Sequence, residues 1–540
     1  MNKNISNRLT KKLCYIFIVL VVSYSCTDNF EEINTNKTQL MAIGPKEYAE
    51  LFAFGVHEGL SWTTTDNMSR MSSTLVSNNC GYISCGIQSY DQYMQGVGWQ
   101  DAGFHDVYSQ SLPAILSIMS DAERKGDMVS YSLAQIWKVF QLQRATDIWG
   151  SVPYTEAGSG KEAVAYDNQR DIYYMMFEEL ASAMDILKGE LASNPGLTVF
   201  GPGDKIYAGN ISKWLKFANT LRLRMAIRIS NVEPEKAKQE AEAAIAAGPM
   251  LETNADDALY PVEDLNEEGN GMPRMESFYQ DVMSTNMESL LKGYNDPRME
   301  EFWSPVELNP VNRKFPELYK NNIGGYHGFS SGSNPEVYTY FRAYSKYGPR
   351  FQDGNQYKTP INVMNAAEAY FLKAEGAWRG WNMGGTAESF YKKGIEISIK
   401  QWKGTTYPMS AIDDYINGTS TPVAPENPPY YDPPMTDIPV KFSSDKTKQY
   451  EQIMTQKWLA LFPVSFEAWA EFRRTRLPKL YPKKYSVNAN INPSAGQVQT
   501  RCSYVESEKN ANTEEVEKAV QMLGGSDLEN IPLWWDVNPN

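Results

Sequence analysis

Two stretches of this 540-residue sequence carry side chains suited to holding a polyhydroxylated ligand. In 78–101, NNCGYISCGIQSYDQYMQGVGWQD, the residues Asn78, Asn79, Tyr82, Tyr90, Tyr93 and Trp99 lie among glycines and cysteines that interrupt any helical repeat. A second cluster comprises Tyr294, Trp303, Tyr326, Tyr338, Tyr340, Arg342 and Tyr344. Sugars present apolar C–H faces and hydroxyl edges, so they are held by ring platforms beside amide, carboxylate or guanidinium groups. Asn79, Tyr82, Tyr93, Trp99, Trp303 and Tyr340 are the candidate ligand contacts. Trp99 and Tyr93 lead, because Gly96 and Gly98 predict an exposed, flexible loop around them. The competing reading of each ring is core packing, since buried aromatics outnumber exposed platforms.

Catalytic chemistry has less to work with. The only histidines, His57, His105 and His327, are scattered, which limits general-base and metal chemistry. No nucleophile elbow, HExxH, phosphate-cradling loop or paired CxxC stands out. With 65 acidic residues, carboxylate pairs arise by chance and say nothing about glycoside hydrolysis; a secreted hydrolase stays as the alternative reading. Neither a metal nor a cofactor is expected. Cys80 and Cys85 are too few for a zinc set but close enough for a loop disulfide. The acidic run 255–270 lacks the ordered ligand spacing of a calcium loop and reads as solvated.

The elements that must position these loops are helices. Leu133, Ile136, Trp137 and Phe140 recur at helical spacing, as do Phe177, Leu180, Met184 and Leu187, and Trp214, Phe217, Leu221 and Met225. Such stripes pair as 131–148 with 171–188, 211–230 with 235–247, 363–379 with 386–402, and 448–462 with 466–475. Pro234 and Gly248 bracket one helix, Gly380 ends another and Thr386 starts the next. A two-helix hairpin cannot bury both its stripes alone, whereas stacked hairpins can. The expected fold is mainly α: about four tetratricopeptide-like hairpins with long inserted loops at 60–110, 250–360 and 405–445. A generic helical bundle is the plainer alternative. Glu375 and Arg379 read as an ordinary helix-surface pair; Arg473, Arg474 and Arg476 could hydrogen-bond carbonyls at a helix end or form ion pairs, and read as scaffold residues because most charged helical residues lie on solvated faces.

Residues 1–25 form a signal peptide: Lys3, Arg8, Lys11 and Lys12, then the apolar run Leu13 to Val22. Cys26 follows directly and is the expected lipid attachment point, an ordinary cleaved signal being the alternative. Residues 26–45 then form a polar tether, and 46–540 a single large domain. No later segment has 18 consecutive apolar residues. The net charge of -14 disfavours a nucleic-acid partner.

TDIWGSVPYTEA (146–157), WLKFANTLRLRMAIRIS (214–230), DPRME (296–300), NAAEAYFLKAEGAWRGW (365–381) and QKWLALFPVSFEAWAEFRRTRLP (456–478), in this order behind the CTDNFEEINTN start, resemble the SusD/RagB family of nutrient-binding outer-membrane lipoproteins. The resemblance covers nearly the whole mature chain. It implies a non-catalytic protein lipid-anchored at the cell surface, which captures an oligosaccharide or, in some members, a peptide. It also implies a partner, a TonB-dependent barrel transporter of the SusC type, over which the protein sits as a hinged lid. A helical scaffold that binds protein alone is the remaining alternative.

Overall fold

The computed structural model describes residues 43–60, 76–85, 90–94, 97–262, 270–273, 281–307, 321–333, 343–352, 354–355, 358–426 and 430–537. The chain divides into Met1–Glu47, of which only 43–47 are described, and Tyr48–Asn540. The signal peptide, Cys26 and most of the tether therefore lie outside the described residues. Among the described residues, no helix is long and apolar enough to cross a membrane.

The helices are α1 (Pro45–Leu60), α2 (Val97–His105), α3 (Leu112–Lys125), α4 (Met128–Trp149), α5 (Gln169–Ser193), α6 (Ile211–Arg228), α7 (Pro234–Ala247), α8 (Thr285–Tyr294), α9 (Ala366–Trp378), α10 (Ala387–Lys403), α11 (Met409–Ile416), α12 (Lys446–Leu461), α13 (Ser465–Thr475), α14 (Glu506–Ala511) and α15 (Thr513–Met522). The expected partners do pack: α4 on α5, α6 on α7, α9 on α10 and α12 on α13. Side-chain oxygens start most of these helices by accepting a first-turn backbone N–H, as at Asn168, Asn210, Asn365 and Asp445. Thr386 does so within a capping box. The hairpins then stack through α5 on α6, α6 on α9 and α9 on α12, which buries the stripes that single hairpins leave open.

The sequence reading missed helices in all three of its loop regions, α11 being the one within 405–445. Residues 97–125 form one nearly continuous helical run, in which a π-helical turn at Asp106–Ser111 joins α2 to α3, and α3 packs against α4. Residues 285–294 form α8. Two small antiparallel sheets tie the insertions together. In one, β1 (Ile83–Cys85) pairs with β3 (Asp281–Met283), Ser84 opposite Val282. In the other, β2 (Ala258–Tyr260) pairs with β4 (Ile361–Met364) across a bulge at Ala258/Leu259.

The centre of the stack is ionic as well as apolar. Arg224 of α6 binds Glu368 of α9 through two bonds of 2.6 and 2.7 Å. One turn on, Arg228 meets Glu467 at 2.7 Å, Asp147 at 3.3 Å and Glu471. Arg474 holds Glu375 at 2.6 Å and Glu471 at 2.6 Å, and Lys457 adds a third cation to Glu471. All of these groups are buried. Burial works against the Glu471 carboxylate, but Arg474, Lys457 and Arg228 outweigh it and hold its pKa well below the usual range. The sequence reading thus erred on position: Arg473 and Arg474 are interior, and Glu375, which also holds Arg379 at 2.9 Å, is fully buried. Their scaffold role stands. Arg473 donates to the carbonyls of Asp147 and Thr500, and its guanidinium lies 3.8 Å from the Trp469 ring centre.

Candidate functional site

The two aromatic clusters, separated by about 200 residues of sequence, meet in space. The β1–β3 pairing makes the first junction. Ser84 Oγ donates to the Phe329 carbonyl at 2.6 Å and lies 2.8 Å from Ser331 Oγ. Asp91 accepts from the Gly332 amide at 2.7 Å, and Gln92 Nε2 donates to the Ser333 carbonyl at 2.8 Å. Ser284 Oγ, the N-cap of α8, reaches back to the Gly81 carbonyl at 2.6 Å. Segments 81–85, 91–92 and 329–333 are thereby fixed to one another and to α8.

A third segment, 481–487, completes the junction. Tyr481 N donates to Asn286 Oδ1, Lys484 N to the Ser331 carbonyl and Val487 N to the Gln92 carbonyl. Lys483 points inward, bonding Asn78 and Asn79 with its ammonium 4.2 Å from the Tyr93 ring centre. Gly332 permits the closest approach: its φ is +66°, and a Cβ there would lie 2.9 Å from both Lys483 Cβ and Tyr485 O. Tyr93 also has a left-handed φ of 61°. Backbone strain of this kind gathers at functional sites.

The candidate contacts build this junction from the inside. Asn79 is buried, donating to Gln499 Oε1 at 3.1 Å. Tyr82 is wholly buried, its hydroxyl on the Trp458 carbonyl and its ring 4.7 Å from the Trp458 ring. Tyr93 is buried beneath Lys483. Trp303 is buried and stacked on Tyr347 at 5.3 Å. None of the four turns a free ring face or amide edge to solvent, so the expectation that they form an exposed platform does not hold; long-range packing has placed them in the core. Trp99 lies in the first turn of α2 and not in a loop, because the Gly98 context proved helical. Its side chain, Tyr340 and Cys26 lie outside the described residues. Cys80 is a free, buried thiol donating to the Ser77 carbonyl, so no Cys80–Cys85 bridge forms. Tyr294, from the second cluster, is also buried, with its hydroxyl on the Ile438 carbonyl.

The letters GxSxG do occur once, at 328–332, contrary to the sequence reading. Ser330, at the nucleophile position, is 2% exposed and its Oγ has no hydrogen-bond partner, so no base activates it. Among the described residues no group of three His, Cys, Asp or Glu side chains is arranged to hold a metal ion.

A separate cavity of about 60 Å³ opens between α4, α6, β4 and the start of α13, lined by Phe140, Gln143, Arg144, Asn362 and Phe466 among others. Burial, then the neighbouring Arg224, lowers the Arg144 pKa to about 9, and its guanidinium lies 4.7 Å from the Phe466 ring centre. Pockets that enclose drug-sized ligands run to several hundred Å³, roughly 300 or more. This cavity is sized for a few waters, one of which would satisfy the unpaired Gln143 Oε1. This cavity has no room for a sugar chain.

Comparison with known proteins bears on the whole domain. The profile of the family described as SusD-like, Susd and RagB outer membrane lipoprotein, matches residues 49–536. Among solved structures, a chitin-binding SusD homologue from Flavobacterium johnsoniae is 31% identical, with a TM-score of 0.79 over 91% of this chain and 99% of that one. A SusD-like protein from Bacteroides thetaiotaomicron is 32% identical, with a TM-score of 0.78 over 91% and 99%. A further structure, titled a chitin-binding protein, is 27% identical, with a TM-score of 0.72 over 92% and 100%. No curated protein matches the chain.

Proposed function

Because this chain belongs to the SusD and RagB family of outer-membrane lipoproteins, we propose that it is a non-catalytic, cell-surface protein that captures an oligosaccharide and delivers it to a SusC-like, TonB-dependent transporter. The observation that carries the reading is the family profile running from 49 to 536, over a domain whose loop segments converge on one junction. Anchoring follows from the signal and Cys26: one lipidated residue holds a protein at a membrane without spanning it. Two related structures are titled as chitin-binding, which makes chitooligosaccharides the first ligands to examine.

The test uses the soluble body, with residues 1–25 removed and Cys26→Ala. It is titrated against neutral glycans, charged glycans and peptides, with product release followed in the same samples. Selective glycan binding without release is expected. Release of shortened product refutes the non-catalytic assignment, and binding to peptides alone moves the ligand to that class. Delivery is tested separately: a barrel transporter should co-purify with the lipidated protein from outer membranes and be lost when Cys26 is replaced.

A further inference from the structure

Tyr82, Tyr93 and Trp303 are interior, but other rings are exposed among the described residues. The strongest candidates come from stretches that the aromatic clusters did not include. Tyr431 is 72% exposed and Tyr485 is 50% exposed, among the most exposed large hydrophobic side chains described. Neither ring is stacked on another ring or covered by a cation. They sit one residue either side of an ion pair, since Lys484 binds Asp432 through contacts of 2.8 and 2.6 Å. Lys484 also lies 5.0 Å from the ring centre of Tyr430. The short ion pair brings the two backbone segments alongside each other, and Tyr431 and Tyr485 flank it in sequence on either side of one ion-paired patch.

That patch belongs to the junction. Lys484 N bonds the Ser331 carbonyl and Val487 N the Gln92 carbonyl, so the segment carrying Tyr485 is pinned to both ligand-loop segments. Pro433 and Pro434 follow Tyr431 closely, and proline fixes the backbone φ. Two rings held on constrained backbone lose little conformational freedom when a ligand covers them. The patch is also electrically balanced, because Lys484 and Asp432 neutralise each other while retaining donor and acceptor capacity for hydroxyls.

We propose that Tyr431 and Tyr485 are the exposed ring platforms of the ligand face, taking the apolar faces of a neutral oligosaccharide across the Lys484–Asp432 ion pair. The inference rests on the glycan-binding reading above and adds the contact residues and the charge class. A polyanionic chain would have to break the ion pair to gain a cation, whereas a neutral one meets it with hydroxyls. No bond is made or broken; this is recognition by stacking and hydrogen bonding.

The experiment is calorimetric titration of the soluble body with chitohexaose, cellohexaose, maltohexaose and a sulfated oligosaccharide. It is run on the parent, on Tyr431→Ala/Tyr485→Ala and on Tyr431→Trp/Tyr485→Trp. The parent should bind one neutral hexaose in preference to the sulfated chain. The alanine pair should weaken Kd about tenfold or more with an unchanged melting temperature, and the tryptophan pair should retain or tighten binding. Undiminished binding by the alanine pair overturns this inference and leaves the glycan reading intact. Preference for the sulfated chain overturns the neutral-ligand assignment. A parent that binds no glycan at all defeats both. Because both side chains are largely exposed, substitution should not cost folding, and the tryptophan pair separates a ring requirement from a structural one.

Discussion

Arg298, from the DPRME motif, offers a demanding test of how this scaffold is held. Its side chain is fully buried and makes five bonds. Nε and Nη2 grip Asp296 at 2.9 and 2.6 Å; Nη1 donates to Ser398 Oγ at 2.8 Å; Nη2 also reaches the Tyr415 hydroxyl and Gln456 Oε1, each at 3.1 Å. These partners belong to α10, α11 and α12, so one guanidinium joins three helices. Burial disfavours its charge, but the Asp296 carboxylate overcomes that and raises its pKa above the ordinary value. Arg298→Met keeps the unbranched apolar stem of the side chain, removes the guanidinium and strands Asp296 as a buried carboxylate. Two donors remain to it, the Tyr415 hydroxyl at 2.6 Å and its backbone contact from residue 298 at 2.9 Å. Breaking a buried pair on one side costs about 3–5 kcal/mol. With an unfolding entropy of roughly 2.1 cal/mol/K per residue over about 490 residues, each kcal/mol moves Tm by about 1 °C, so the expected fall is about 3–5 °C. The double variant Asp296→Asn/Arg298→Met removes the stranded charge and should recover more than half of that loss. Calorimetry and urea unfolding measure both. A single variant that loses less than about 1 kcal/mol, or a double variant no better than the single, refutes the reasoning.

Three further outcomes follow from particular contacts. Gly332→Ala should destabilise the protein by about 1–3 kcal/mol and weaken glycan binding, because the new Cβ meets Lys483 and Tyr485 on a left-handed backbone; an unchanged melt and unchanged Kd would count against the junction described here. Asp257, whose pKa burial raises from 3.8 to about 7, accepts from the Ala366 amide at the start of α9. The folded state therefore holds that proton longer than the unfolded chain does. Its stabilising contribution is complete below about pH 4 and is lost as pH rises towards 7, so Asp257→Asn should gain on the parent across that window by up to about 4 kcal/mol. A difference in unfolding free energy that stays flat with pH would rule this out. Cys80 and Cys502 are buried, and burial pushes the Cys502 thiol up to about 12 and Cys80 higher still, so peptide mapping after iodoacetamide should find neither labelled until the protein is unfolded; labelling in the native state would contradict the packing.

The hairpins were legible because their signal is local. Apolar residues three and four apart, an Asn or Thr before the first turn and a glycine after the last are all readable within about twenty positions. The interior charges were not, because their partners are far apart in sequence. Arg224 and Arg228 look like the solvated side of an amphipathic helix; only Glu368, Glu467, Glu471 and Asp147, brought in from α9, α13 and α4, turn that side inward. The same holds for Glu375, an apparent surface partner of Arg379 until Arg474 arrives from α13. Helix α8 and the 97–125 run were missed for a different reason. In α2 glycine and aromatic residues weaken the periodicity, and α8 is short enough to depend on its neighbours for stability, as most helices in proteins do; α3, by contrast, carries a legible stripe in Leu112, Ile115, Ile118, Met119 and Ala122.

The ligand face shows the same division one level up. Parts of the two segments that composition selected, 81–85 with 91–92 and 329–333, do converge, but the rings it selected there are buried and help to hold them together. Gly96 and Gly98 predict exposure around Tyr93 and Trp99, whereas Gly81, against Asn286 and Leu480, and Gly332, against Lys483, are points where backbone comes close to another segment. A glycine-rich aromatic stretch can mean a flexible loop or a tightly packed crossing, and sequence alone does not separate the two. The exposed rings of Tyr431 and Tyr485 stand instead beside prolines and an ion pair, in stretches that the two aromatic clusters leave out. This arrangement has a physical logic. Rings that must stay available to a ligand cannot be fixed by packing, so their position has to be set by the backbone around them. Proline at 433 and 434, the Lys484–Asp432 pair and the close pass at Gly332 provide that constraint, while the buried rings of Tyr82, Tyr93 and Trp303 make the platform beneath rigid enough to bear it.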